Sequence, residues 1–172
     1  MGVTVITEWK SVEEIEDAVI GIAQSINEEY EGHEIVLLGI LNGGAMFMSD
    51  LMRHIHVDVR VDYVQCSSYG DGTESGEVEL IKKWTTDLSN KHVILVDDIY
   101  DTGNTINTLS DLILGSSNPK SIVSCALIKR QDEDSIGPNF FGLEANKGDW
   151  LYGYGMDDAG LCRNIPSIMI KK

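Results

Sequence analysis

Three aspartates, Asp97, Asp98 and Asp101, followed at once by Thr102-Gly103-Asn104-Thr105, are the residues of this 172-residue chain best suited to chemistry. An apolar run, Val93-Ile94-Leu95-Val96, precedes them, and a helical pattern follows. The run reads as a buried parallel strand, and the turn as a phosphate-binding loop at a helix N-terminus. Backbone N–H groups and two threonine hydroxyls can hold an anion there, and Gly103 lets the backbone approach closely. Carboxylates beside a phosphate repel it unless something intervenes. Sugar hydroxyls can donate to carboxylates, and Mg²⁺ can bridge carboxylates and diphosphate oxygens. The segment therefore suits a ligand carrying phosphate, sugar hydroxyls and a divalent cation together. It lacks the Gly-Lys-Ser/Thr ending of a P-loop, which disfavours nucleoside triphosphate hydrolysis.

The elements that must position these residues alternate between strand and helix. Ser11 followed by Glu14 is a capping-box pattern. Behind it Val12, Ile15, Ala18, Val19, Ile22, Ala23 and Ile26 recur at helical spacing. Residues 35–41 form a continuous apolar run, as in a strand buried on both faces. Asn42-Gly43-Gly44 breaks it, and helical periodicity resumes over 45–55. Strands are expected over 57–66, 78–84, 92–96, 122–128 and 165–170, and a helix over 105–114 ended by Gly115. Residues 67–76, rich in Ser, Gly and acids, read as a mobile loop.

This alternation predicts an α/β fold, a doubly wound and mainly parallel sheet. One domain over 1–172 is expected, with a core over about 1–130 and a small C-terminal hood over about 131–172 covering the carboxyl ends of the strands. No repeat, low-complexity tract or interdomain linker interrupts it.

Composition excludes some partners. The chain has 13 Lys plus Arg against 28 Asp plus Glu, a formal charge of −15. Such a surface attracts neither nucleic acid nor an anionic membrane. It also repels an anionic substrate at long range, so local positive charge or a metal is needed. Three separated cysteines without zinc spacing suit a reducing compartment, and no stretch reads as a signal segment or a membrane span, so the cytoplasm is expected. His33, His54, His56 and His92 lack partners at metal or catalytic spacing. Met46, Phe47 and Met48 suit helix packing or a subunit interface.

Four blocks in order carry a resemblance over nearly the whole chain: 39–47, Ser67-Ser68-Tyr69-Gly70, the acidic segment above, and 151–157. The acidic segment resembles the phosphoribosyl-diphosphate (PRPP) signature of type I phosphoribosyltransferases. Together the blocks resemble the hypoxanthine (guanine) phosphoribosyltransferases, particularly the short bacterial kind. The resemblance implies purine salvage: transfer of the 5-phosphoribosyl group from PRPP to a 6-oxopurine, with Mg²⁺, through an oxocarbenium-like transition state. It implies that Asp97 and Asp98 bind the ribose hydroxyls and help position the metal, and that Asp101 exchanges a proton near N7 of the purine. Asp101, Thr102, Gly103, Asn104 and Thr105 then surround the 5′-phosphate. Leu41, Asn42, Gly43 and Arg163 serve the diphosphate, and Asp157 joins the metal side. Ser68 and Tyr69 belong to a lid. Lys129 contacts the exocyclic oxygen, Trp150 stacks on the purine where relatives use Phe, and Leu151 lines the base. Asn42 replaces the Lys or Arg of many relatives. The resemblance also implies a homodimer or homotetramer. Two other readings stand beside it: preference for xanthine or another base, and an RNA-binding regulator of the same fold, which the shortage of basic residues opposes.

Overall fold

The Ser11 hydroxyl accepts the Glu14 N–H at 3.3 Å, and the Glu14 carboxylate accepts the Ser11 N–H at 3.0 Å. This reciprocal cap starts helix α1 (Val12–Glu29), whose stripe of Ile15, Val19, Ile22, Ala23 and Ile26 is buried. The structure, a computed structural model, describes residues 5–68, 78–131 and 137–172, apart from the side chains of Ser68 and Val78. A short strand β1 (Ile6–Lys10) precedes α1.

The main chain of elements then runs β2 (Ile35–Leu41), α2 (Ala45–Leu51) with a 3-10 turn at Met52–His54, β3 (Val59–Ser68), β4 (Val78–Lys82), β5 (His92–Tyr100), α3 (Asn104–Ser116), β6 (Ser121–Gln131) and β7 (Phe140–Asn146). Strands β8 (Trp150–Tyr152) and β9 (Ile168–Lys171) close it. Six strands form one sheet in the order β4-β3-β2-β5-β6-β7, parallel except for the β3–β4 pair. The expected α/β architecture with a mainly parallel sheet is therefore present.

The helices lie on opposite faces, because their apolar stripes belong to different clusters. Helices α1 and α2 pack with Ile35, Leu37, Ile94 and Val96. Helix α3 packs through Ile106, Leu109 and Ile113 against Val36, Leu38, Val93 and Leu95. Alternate residues of β2 and β5 thus feed both faces, as strands covered on both sides require. The chain leaves β2 for β3 on one side and β5 for β6 on the other. The crevice where the strand order reverses lies between β2 and β5, and open α/β sheets bind ligands at the carboxyl end of such a crevice.

The small sheet differs from expectation. It has three antiparallel strands, β1-β9-β8, so the N-terminal strand joins the C-terminal ones. Strand β7 belongs to the main sheet, pairing with β6 from Cys125↔Phe140 to Gln131↔Asn146. A division near residue 130 therefore does not separate the two sheets. Helix α3 continues through Gly115, which has open space around it, and ends at Ser116, with Ser117 as its C-cap. Among the described residues, no helix is long and apolar enough to cross a membrane.

Asp62 on β3 fastens the turn that leads into β5. Its carboxylate accepts N–H bonds from Tyr63 at 2.7 Å, Thr85 at 2.7 Å and Thr86 at 2.8 Å. Burial pushes this acid up, but the three N–H bonds outweigh it and hold the carboxyl well below the usual range. A depressed folded pKa gives stability that is present above the unfolded value near 4 and is lost as pH falls towards the folded one. Asp62→Asn is expected to destabilise the fold by about 1–3 kcal/mol at neutral pH. Thermal melts should show the gap from wild type shrinking below about pH 4. A gap independent of pH would show that the charge on Asp62 is not what holds the turn.

Candidate active site

Strand β5 stays beside β2 only to the pair Gly39↔Val96, yet it continues beside β6 to Tyr100↔Lys129. Asp97 and Asp98 therefore lie within a strand, just past the point where its neighbour turns away. The expected strand end at Val96 is one ladder short, because pairing with β6 alone sustains the extension. Where β2 departs, the Leu41–Asn42 peptide bond is cis. The loop that follows presses on the acids. A methyl group on Gly43 would overlap the Asp98 carboxylate, and one on Gly44 would come within 3.1 Å of the Val96 carbonyl oxygen. Only glycines let this loop approach β5 so closely.

The two carboxylates are bonded to their own strand. Asp97 Oδ1 accepts the Asp98 N–H at 3.0 Å, and Asp98 Oδ1 accepts the Ile99 N–H at 2.9 Å. Desolvation first, and the neighbouring Asp98 charge second, raise the Asp97 carboxyl well above the ordinary carboxylate range. Two like charges held this near each other cannot both ionise freely, so the pair tends to hold a proton. Cys66 on β3 faces the same field: burial, then Asp97, pushes its thiol up to about 11.

A donor set that favours a shared proton also favours a divalent cation in its place. Mg²⁺ commonly takes one or two carboxylates and completes its shell with water and substrate oxygens, so Asp97 and Asp98 fit it. A full protein cage does not form: among the described residues no three acids, histidines or cysteines gather around a metal position. Asp157 is committed elsewhere, pairing with Arg163 Nη2 at 2.7 Å and accepting the Gly160 N–H at 2.7 Å.

Beyond β5 the chain turns through Asp101 and Thr102 into α3. Gly103 has φ +80°, and a methyl group there would overlap the Tyr100 hydroxyl, so the turn closes over that ring. Thr102 Oγ1 accepts the Asn104 N–H at 3.4 Å. Gly103 caps the helix without a side-chain bond, and the first turn faces a depression of about 80 Å³ lined by Asp97 and residues 99–106. The positive end of the helix dipole faces this depression, an arrangement that favours negative charge. Thr102 and Thr105 are among the residues that line it.

Asp101 is exposed, and the cation beside it is one the sequence analysis did not assign. Arg130 Nε lies 3.8 Å from Asp101 Oδ2, while its Nη1 donates to the Asn146 carbonyl at 3.0 Å and the Asp149 carbonyl at 2.8 Å. A basic residue at a strand end carries no pattern of its own, and its partners lie 16 and 19 residues further on.

The second wall of the crevice comes from the loop after β8. Gly155 lies so close to Gly43 that a methyl group would overlap the Gly43 carbonyl oxygen. Arg163 Nη1 donates to the Gly155 carbonyl at 2.6 Å. Arg163 thus braces the loop that faces Gly43. The Trp150 indole N–H donates to Asp158 at 3.2 Å, and Lys171 Nζ donates to the same carboxylate at 3.2 Å. With its N–H satisfied, Trp150 still exposes 53% of its surface, while Leu151 beside it is buried. Lys129 stands apart: its ammonium is 5.1 Å from the Phe141 ring, and no hydrogen bond or ion pair joins it to Trp150 or Asp101. Phe47 and Met48 are fully buried and Met46 is exposed. The lid expected at Ser68 and Tyr69 falls almost wholly outside the described residues, which stop at Ser68.

A depression at a helix N-terminus, a pair of acids beside it and a close-pressed glycine loop meet around one crevice. The phosphoribosyl transferase domain model matches residues 8–136, and the chain belongs to that family. It is 35% identical over 160 residues to a hypoxanthine phosphoribosyltransferase of Salmonella typhimurium, covering 90% of this chain and 89% of that one. With a hypoxanthine-guanine phosphoribosyltransferase of Staphylococcus aureus it shares 34% identity over 158 residues, 91% of this chain and 88% of that one. A crystal structure of a hypoxanthine-guanine phosphoribosyltransferase from Bacillus anthracis superposes with a TM-score of 0.86 at 32% identity, covering 96% of this chain and 98% of that one.

The raised Asp97 carboxyl has a consequence for stability. An acid with a raised folded pKa costs the fold free energy once the pH passes the unfolded value, and the full cost applies above the folded one. Asp97→Asn keeps the acceptor for the Asp98 N–H and removes one charge of the pair. We expect it to raise the ligand-free melting temperature at neutral pH by a few degrees, on the order of 1 kcal/mol, while impairing activity. The two should be compared by calorimetry and by initial rates. A lower melting temperature would mean that the charge repulsion does not strain this strand.

Proposed function

We propose that this chain salvages 6-oxopurines by transferring the 5-phosphoribosyl group of PRPP to hypoxanthine and guanine, with release of diphosphate. One observation carries the reading: Asp98 lies against Gly43, which brings the acids of β5 and the glycine loop after β2 to a single crevice ending at the α3 cradle. A ligand with a 5′-phosphate, a ribose and a diphosphate spans these three positions. The names of the relatives supply the base class.

In this reading Thr102 to Thr105 hold the 5′-phosphate by N–H and hydroxyl donors. Asp97 and Asp98 accept from the ribose hydroxyls. Bound Mg²⁺ would neutralise diphosphate charge next to Asp97 and Asp98. Leu41, Asn42 and Gly43 offer backbone groups to the diphosphate, and Arg163 steadies the facing loop. Trp150 offers an indole face for the purine to stack on, and Leu151 its backbone. Lys129 reaches a purine oxygen by leaving Phe141, which its flexible stem permits. Asp101 accepts or returns a proton at N7. The catalytic terms are alignment of the base with C1 and exclusion of water from a cation-like sugar. A homodimer or homotetramer, with exposed Met46 available for contact, and a cytoplasmic setting, consistent with three unpaired cysteines, belong to the same proposal.

A panel of bases assayed with PRPP and Mg²⁺ tests the assignment. Hypoxanthine and guanine should be converted, and adenine should be at least about tenfold poorer, because an amino group meets a donor and leaves polar groups unpaired. Comparable turnover of adenine would remove the 6-oxopurine reading. Asp101→Asn should keep PRPP binding and lose about 10²- to 10⁴-fold in rate, measured under single-turnover conditions so that product release does not mask the step. Unchanged single-turnover rates would take the proton-transfer role from Asp101.

A further inference from the structure

Arg130 is the residue near the crevice whose placement the reaction has not yet used. It follows Lys129 at the end of β6, and only 13% of its side chain is exposed. A guanidinium this enclosed needs fixed partners. Two of them are the carbonyls of Asn146 and Asp149. These residues close the turn between β7 and β8 on themselves: Asp149 N–H donates to the Asn146 carbonyl at 3.2 Å, and the Asp149 carboxylate accepts the Asn146 side-chain amide at 3.1 Å. Trp150 follows immediately. The third partner is Asp101, 3.8 Å from Nε.

Nε and Nη1 belong to one planar, rigid fork. A turn held by one end of the fork therefore fixes where the other end stands. Asp101 lies in an exposed turn, with 58% of its side chain open to solvent. At 3.8 Å Arg130 orients that carboxylate by charge without occupying its lone pairs as a short hydrogen bond would. The carboxylate stays available to a substrate proton.

We propose that Arg130 is a positioning residue for phosphoribosyl transfer: it references the Asp101 carboxylate to the turn that carries Trp150, and so sets the proton acceptor against the plane of the stacked base. The inference rests on the reading of Asp101 as the group that handles the purine proton. A lysine could keep the charge but could not hold the turn and the acid in one plane.

A double-mutant cycle on the full-length enzyme tests it. Arg130→Gln should lower single-turnover rate by about 10- to 100-fold. It should leave KM for PRPP within about twofold, since the phosphate and diphosphate contacts are untouched. In the Asp101→Asn background the same change should cost less than about threefold, because the group through which Arg130 acts is gone. Arg130→Lys should recover only part of the loss. Circular dichroism and melting curves report folding, and if the Gln variant does not fold, the cycle is read with Arg130→Lys. Equal losses in both backgrounds, a loss confined to KM for PRPP, or complete rescue by Lys would each overturn the proposal while leaving the Asp101 reading intact. An Asp101→Asn enzyme with wild-type single-turnover rate would instead overturn the Asp101 reading itself, and this inference with it.

Discussion

Two carboxylates side by side within a strand are an unfavourable arrangement, and much of the structure around the crevice accommodates them. Their side chains bond back to β5, and Asp97 is driven towards its protonated form by desolvation and by Asp98. The strand holds its course past Val96 because β6 continues to pair with it after β2 has left. That divergence creates the crevice, and the acids stand at its mouth. An apolar pair at 97 and 98 would relieve the repulsion, yet it would leave nothing to meet hydroxyls or a cation. The arrangement is one in which local stability is lower than it could be and ligand chemistry gains, as is common where binding sites are built.

The same crevice joins the two sheets. Gly43 touches Asp98 on one side and receives Gly155 on the other. Arg163 holds Gly155 and Asp157 in place, and Tyr154, just before Gly155, donates its hydroxyl to Asp50 of α2 at 2.6 Å. The small sheet is therefore keyed to the loop after β2 rather than resting loosely above it. A movement of either sheet must pass through glycine contacts that tolerate no side chain. This rigidity suits a reaction in which base and sugar must be held in line.

How legible this was in the sequence depended on how local the cause was. The capping box at Ser11, the doubly buried run of β2 and the turn at Gly103 are set by residues a few positions apart, and each stands where the pattern placed it. The end of β5 is not legible locally: two aspartates after Val96 resemble a strand terminus, whereas a distant partner, β6, decides the length. Strand β7 escaped notice because it is an edge strand with Gly142 in its middle, where close packing on Ala18 of α1 leaves no room for a side chain. Strand β1 is paired by β9 at the other end of the chain, which no local periodicity can reveal. Arg130 was missed for the same reason: its meaning lies in carbonyls far along the sequence.

The charge of the whole chain bears on how the site can hold an anion at all. With 28 acids against 13 Lys plus Arg, the surface offers little attraction to a diphosphate. The cations that the structure describes around the crevice are already engaged. Arg163 is paired with Asp157, Arg130 with Asp101 and two carbonyls, and Lys129 with the Phe141 ring. Asn42 in the glycine loop carries no charge. On the proposed reading the remaining attraction comes from backbone N–H groups of the glycine loop and the α3 N-terminus, and a divalent cation beside Asp97 and Asp98 would add to it. These act over a few ångströms and depend on exact placement. On the proposed reading a phosphorylated substrate is recognised by fit within the crevice rather than drawn in from a distance, and the acidic pair that repels the free anion would accept it once a divalent cation is bound.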